Sequence, residues 1–442
     1  MNDKIKGKEK IAYAFANMGN IPVTMIVSSF LLIFYTNVVG ISPAACATLF
    51  LIARIFDAVN DPLIGYLIDR APRTKLGRFR TVLIVGSILC GLNYLLLWYG
   101  PLMIPVGKLA IAYISYFLLG ILFPVMDISL NSLLPVMTND EKERGTLSSI
   151  KGVVYTLTGL VLGIIAPMII GEVSEAHGYL VLIAIVVAMI IGLSVIGALG
   201  VKERVEFEDE NKYGIKELFR ILTYRPVWSL FIANLLFGVA NYSIMAVNAY
   251  YYTYILGNFE MYGLASLISI VGMIPGIIIS AKIAEKLGKK NAYIAGLMCF
   301  GILPLIRLLG TANVPIVFAS VIASNFGMGL LTPYMYSIQA DNTDYVEWKS
   351  GYHAEAAVAS LASFVSKFSM GIGGAIPGYL LAFVGFNEKA AVQSAATNEM
   401  LIFCAVILPA IVSVVVAVIF GVFYPLTKSK LEDMGAELKK QR

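Results

Sequence analysis

The feature that most constrains this sequence is a recurrence: runs of predominantly apolar residues return along the whole chain, separated by short polar breaks. They fall at roughly 11–37, 43–68, 81–99, 109–135, 147–170, 178–200, 227–255, 262–284, 292–309, 314–340, 354–385 and 400–424. About 20 such residues, rising about 1.5 Å each as a helix, cross the hydrocarbon of a bilayer. Lipid offers no hydrogen bonds, so each span must satisfy its backbone internally, and a single apolar run does so as a helix. Composition agrees. Of 442 residues 58% are hydrophobic and 14% charged, against about 45–50% and about 25% in soluble chains.

One polar stretch, VKERVEFEDENKYGIKELFRILTYRP, interrupts the series between the sixth and seventh runs. It divides the chain into a bundle over 1–200, a linker over 201–225 and a second bundle with a tail over 226–442. The expected fold class is therefore all-α, a polytopic membrane protein with twelve transmembrane helices in two six-helix halves. Every second connection is basic: Lys4 to Lys10; Arg70, Arg73, Lys75, Arg78 and Arg80; Lys142 and Arg144; the linker; Lys282, Lys286, Lys289 and Lys290; the tail Lys428 to Arg442. The alternate connections carry only Lys108, Arg307 and Lys389. Basic loops stay on the cytoplasmic side, which places both termini and the linker in the cytoplasm and the chain in the cell membrane. The net charge of +5 thus reads as topology, and nucleic acid is not an expected partner. The N-terminal MNDKIKGKEKIAYAF lacks a small-residue cleavage site and reads as a lead-in to the first span. The halves echo each other: GYLIDRAPRTKLGRFRTVLIVG follows the second run and AKIAEKLGKKNAYIAG the eighth. Weak internal repeats of this kind belong to transporters whose halves rock against each other.

Ionisable residues inside spans are costly and mark ion or substrate paths. In ARIFDAVNDPLIG of the second span, Arg54, Asp57, Asn60 and Asp61 share one helix face. Paired carboxylates raise each other's proton affinity, and hard cations prefer oxygen ligands. The set suits a shared proton or a small monovalent cation; a packing ion pair between Arg54 and Asp57 is the structural alternative. Asp127 and Asn131 stand one turn apart in the fourth span. Lys151 enters the fifth span near its cytoplasmic end, where snorkelling competes as an explanation. Lys367 lies about two to three turns inside the eleventh, and Gly371, Gly373, Gly374 and Gly378 after it allow close helix contact. Asp57, Asp61 and Asp127 balance Arg54, Lys151 and Lys367. Asn248, Tyr251 and Tyr252 read either as a stacking wall for a sugar ring or as an interfacial tyrosine belt, and Tyr334 and Tyr336 are open in the same way. His177, expected in an outward loop, and His353 lack metal-site company, and Cys46, Cys90, Cys299 and Cys404 read as small buried side chains.

Three stretches together resemble the glycoside–pentoside–hexuronide:cation symporters of the major facilitator superfamily, the family of the melibiose and glucuronide permeases. They are FLLIFYTNVVGISPAACATLFLIARIFDAVNDPLIGYLIDRAPRTKLGRFR, MDISLNSLLPVMTNDEKERGTL and ADNTDYVEWKSGYHAEAAVASLASFVSKFS, and the similarity extends to the FYPLTKSK tail. The resemblance implies uptake of a sugar or glycoside coupled to H⁺, Na⁺ or Li⁺. It assigns cation binding to Asp57, Asn60 and Asp61. Substrate binding or coupling falls to Asn20, Arg54, Asp127, Asn131, Lys151 and Lys367. There are departures. Asn20 and Ile21 stand where melibiose-type members have a Lys-Asp pair, Asn131 replaces an aromatic platform, His353 replaces an arginine, and Pro124 replaces a hydroxyl ligand of the sodium-type site.

The expected function is cation-coupled import by alternating access, from a substrate site near the midplane between the halves. The partners are a sugar or glycoside, a monovalent cation and membrane lipid. No cofactor is expected beyond the coupling ion, with H⁺ favoured over Na⁺ and no metal other than Na⁺ at that site. A hexuronide is the favoured substrate, because the site lacks a carboxylate at Ile21 and keeps two lysines; a pentoside or xyloside stands close behind. A lysolipid-type amphiphile carrier and a non-transporting membrane sensor are the alternatives. No HExxH, GxSxG or Cys–His pairing points to an enzyme.

Overall fold

The computed structural model describes residues 5–138, 140–171, 176–205, 220–350, 355–387, 390 and 392–441. The linker residues Glu206 to Lys216, His353 and Lys389 lie outside them.

The apolar runs fall on helices: α1 (Gly7–Ile33), α2 (Pro43–Asp69), α3 (Phe79–Met103), α4 (Lys108–Met137), α5 (Glu141–Ile170) and α6 (Ala176–Gly200). Then come α7 (Arg225–Tyr250), α8 (261–287) and α9 (289–302), α10 (Val314–Ser350), α11 (Glu355–Phe383) and α12 (Ala395–Phe423). A last amphipathic helix, α13 (Lys428–Gln441), lies past the apolar series. Among the described residues nine helices, one of them α8 and α9 taken together, are long and apolar enough to cross a membrane. No strand occurs among these residues. The fold is all-α. It falls into two compact units, one holding α1–α6 and the other α7–α13. In the first, α3 packs on α4, α2 on α4, and α1 on α5 and α6; in the second, α8 and α9 pack on α10, and α7 on α11 and α12. Outward-facing stripes stay apolar, as Ile88, Leu92 and Leu96 on α3 and Val271, Ile274 and Ile278 on α8. A lipid solvent explains them.

The repeat is written into backbone geometry. The Leu-Gly of each echoing loop places its glycine at positive φ, Gly77 at +113° and Gly288 at +75°. Glycine adopts this region without the Cβ penalty, and at Gly288 it breaks what is otherwise one continuous helix into α8 and α9. The first helix of each unit also ends in a π-helical turn, Phe34–Val38 after α1 and Tyr251–Ile255 after α7. In both, an amide reaches back five residues, Val39 N to Phe34 O at 3.1 Å and Leu256 N to Tyr251 O at 3.2 Å. The closing helices α6 and α12 carry internal π turns at Met189–Leu193 and Phe403–Ile407. The pattern FYTNVVG against YYTYILG is its sequence signal.

Several loop charges turn out to be helix caps. Glu203 accepts from Arg80 N at 2.8 Å and Arg78 N at 3.0 Å, closing the first turn of α3. Arg80 returns the bond, donating to Ala198 O and Leu199 O at the end of α6. In the second unit Arg225 and Lys290 cap the end of α12 through Phe423 O and Tyr424 O. Such pairs satisfy the orphan groups that every helix end leaves.

Two expectations need correction. Tyr251 and Tyr252 are neither a sugar wall nor a lipid-facing belt: they are 0% and 1% exposed. Tyr251 donates to Thr311 O at 2.6 Å under the Arg307 guanidinium, and Tyr252 stacks on Tyr262 at 5.2 Å. The π turn rotates both rings into the unit. Tyr334 is likewise buried and donates to Ser280 O, whereas Tyr336 is exposed. His177 is an exposed residue in the first turn of α6 rather than in a loop.

Candidate cation and substrate site

The charged face of the second span has a physical anchor. α2 begins on Ser42, whose Oγ accepts from Ala45 N at 3.4 Å, with Pro43 preset for the first turn. Three turns on, Arg54 Nη1 donates to Asp57 Oδ2 at 2.7 Å, and both side chains are largely buried. Arg54 Nη2 also donates to the Tyr116 hydroxyl of α4 at 3.1 Å, with the guanidinium 5.9 Å from the ring centroid. The packing ion pair is therefore present, and it is tied into α4.

Asn60 Nδ2 donates to Gly120 O at 2.9 Å, so its amide holds α2 to α4. Gly120 itself lies against the Asp57 carboxylate: a Cβ there would overlap Oδ1 and stand 3.4 Å from Cγ. The missing side chain at 120 is the space in which the carboxylate sits. Asp61 follows on α2, partly buried. Pro124, buried one turn beyond Gly120, presents no side-chain oxygen.

Asp127 is partly buried and Asn131 exposed on α4. Asn131 Oδ1 accepts from Lys151 Nζ of α5, which brings those two together. No carboxylate stands within ion-pair distance of Lys151 among the described residues. Asn20 of α1 is 2% exposed and its Nδ2 has no hydrogen-bond partner among them. Its neighbour Gly19 packs directly on the π turn of α6, at Met189 O and Ser194 Oγ.

Lys367 belongs to the second unit, on α11. A seam of small residues seats this helix on α7: Ser369 Oγ donates to Leu235 O at 3.0 Å, and Ser243 Oγ to Gly373 O at 2.9 Å. A Cβ on Gly373 would reach 2.6 Å from Val239 O, so packing accounts for that glycine. Sequence reasoning missed Tyr116, Gly120 and Glu203. The available signal for Gly120 was a glycine two turns before Asp127 in a span facing an acidic one.

A profile of the MFS/sugar transport protein family matches residues 12–428. The chain belongs to that family. It is similar to the isoprimeverose transporter of Lactiplantibacillus pentosus, 30% identical over 403 residues, covering 89% of this chain and 83% of the relative. It is also similar to a provisionally named glycoside/cation symporter of Escherichia coli (strain K12), 27% identical over 442 residues, covering 98% and 95%. Among solved structures, a D-xylose-proton symporter superposes with a TM-score of 0.64 at 12% identity, covering 96% of this chain and 99% of that one. The protein is thus a sugar-transporting membrane protein of the major facilitator superfamily and not an enzyme.

Proposed function

We propose that this protein couples entry of a monovalent cation at Asp57 and Asp61 to import of a sugar or glycoside by alternating access. The observation that carries this reading is the face of α2: two carboxylates one turn apart, with Asp57 pinned by Arg54 and fitted into the gap left by Gly120. A carboxylate held so closely is poised to report binding of an ion to the helix pair that surrounds it. Pro124 offers α2 no side-chain oxygen, which favours a shared proton over Na⁺. Asn20, Asp127, Asn131, Lys151 and Lys367 are the substrate and coupling residues of this scheme. Coupling is the mutual gain in affinity between ion and sugar, about 1–3 kcal/mol for linked sites.

For the substrate, Lys151 supports an acidic glycoside, a hexuronide. Its ammonium meets an amide oxygen and no carboxylate among the described residues, so an anion would find an unneutralised partner. The second reading, a pentoside or xyloside, has in its favour the relative named for isoprimeverose. Uptake into proteoliposomes under an imposed pH or Na⁺ gradient, with a panel of competing glycosides, tests both. Gradient-driven accumulation supports symport, and competition by a β-glucuronide better than by its uncharged glucoside analogue supports the hexuronide. Equal competition leaves the pentoside reading.

A further inference from the structure

The internal repeat reaches into the spans. GILFPVMD (120–127) on α4 and GLLTPYMY (329–336) on α10 share Gly, Leu, Pro and Met at the same places. Each helix is the fourth of its unit. Packing supports the register: a Cβ on Gly120 would overlap the Asp57 carboxylate of α2, and one on Gly329 would overlap Met273 O of α8, the second helix in each case. In this register Tyr336 stands where the first unit has Asp127.

Tyr336 is 73% exposed, and neither its ring nor its hydroxyl has a partner among the described residues. Asn325, Thr332, Gln339 and Thr343 lie within about 60° of it around the helix, and all four are partly exposed. The Gln339 side-chain amide makes no hydrogen bond among the described residues. Facing hydrocarbon, an amide without a partner is costly. The outward stripes Ile88, Leu92 and Leu96 of α3 and Val271, Ile274 and Ile278 of α8 carry no such group. The Tyr336 face of α10 therefore borders water, and a tyrosine belt over lipid does not account for it.

An aspartate and a tyrosine at matched places are complementary toward a sugar. A carboxylate accepts from sugar hydroxyls, whereas a tyrosine offers an apolar ring to the C–H face of a pyranose and a hydroxyl at its edge. We infer that Tyr336 is a substrate-contacting residue of the second unit, its ring stacked on the sugar ring. The assignment rests on the proposed transport of a sugar or glycoside. β-Glucuronides and β-xylosides present the same C–H face, so the ring serves either substrate.

Two readouts test it. In the first, Tyr336→Cys is treated with a charged methanethiosulfonate, with the wild type as background and Leu92→Cys on the apolar stripe of α3 as control. Tyr336→Cys should react above background and Leu92→Cys should not, and methyl β-D-glucuronide or methyl β-D-xyloside should slow the reaction. A Tyr336→Cys protein as unreactive as Leu92→Cys, or one that neither glycoside slows, overturns the assignment. In the second, exchange of the same labelled glycosides in proteoliposomes, which needs no cation gradient, gives half-saturation and maximal rate. Tyr336→Leu should raise the half-saturating concentration about 2- to 12-fold, the span an aromatic contact supplies. The maximal rate should hold, and Tyr336→Phe should stay close to the wild type. An unchanged half-saturation in Tyr336→Leu overturns the contact. The wild type separates the two levels: if it exchanges neither glycoside, the proposed hexuronide and pentoside substrates fall, and the Tyr336 contact with them.

Discussion

Gly120→Ala puts the proposed ion site to its most direct test. The new methyl would overlap Asp57 Oδ1, well inside van der Waals contact, and lie 3.4 Å from Asp57 Cγ and 3.7 Å from Phe56 Cδ1. Two adjustments relieve the overlap. Asp57 can turn away, at the expense of its 2.7 Å bond to Arg54, or α2 and α4 can part and lose the 2.9 Å bond from Asn60 to Gly120 O. Overpacking of this kind costs about 1–3 kcal/mol, and each 1.4 kcal/mol is about tenfold in an equilibrium constant. If the ion site needs the native carboxylate position, gradient-driven uptake at a subsaturating cation activity falls about 5- to 150-fold. The assay is accumulation of a labelled glycoside in proteoliposomes, paired with substrate exchange at saturating cation to show that the variant is folded. Gly145→Ala is the control, since nothing lies within 4 Å of a Cβ at that position. Wild-type accumulation by the Gly120→Ala protein would refute the placement of the ion beside α4.

The remaining predictions concern the same scheme and the scaffold around it. Asp57→Cys and Asp61→Cys should each abolish accumulation against a gradient while exchange persists; normal accumulation by both would move the ion site elsewhere. Adding Na⁺ at constant pH and membrane potential should leave uptake unchanged, and a clear stimulation would contradict the proton reading. Glu203→Ala removes both acceptors at the start of α3, a cap worth about 1–2 kcal/mol. The purified variant should melt earlier, with Glu203→Gln between it and the wild type; an unshifted melting curve counts against the cap. A reporter fused after Arg442 should be active only in the cytoplasm, and periplasmic activity would reverse the topology.

The spans and the face of α2 were legible in the chain because both are local. A run of apolar residues in lipid must close its own hydrogen bonds, and helical spacing alone puts Arg54, Asp57, Asn60 and Asp61 side by side. The echoing Leu-Gly loops were legible for a similar reason: each glycine supplies a backbone turn within its own few residues. What meets that face is a different matter. Tyr116 and Gly120 lie about sixty residues further along the chain, and no spacing rule reaches that far. Glu203, written in a stretch that read as linker, becomes the cap of a helix more than a hundred residues earlier. Tyr251 and Tyr252 show the limit most plainly. Sequence marks them as amphipathic rings near the end of a span, but lipid, sugar and protein interior all accept such a ring. Only the packing of the π turn against Thr311, Arg307 and Tyr262 selects the interior. Local periodicity dictates which side chains share a face; the neighbour that covers the face is chosen by tertiary packing, because burial depends on atoms contributed from elsewhere in the chain.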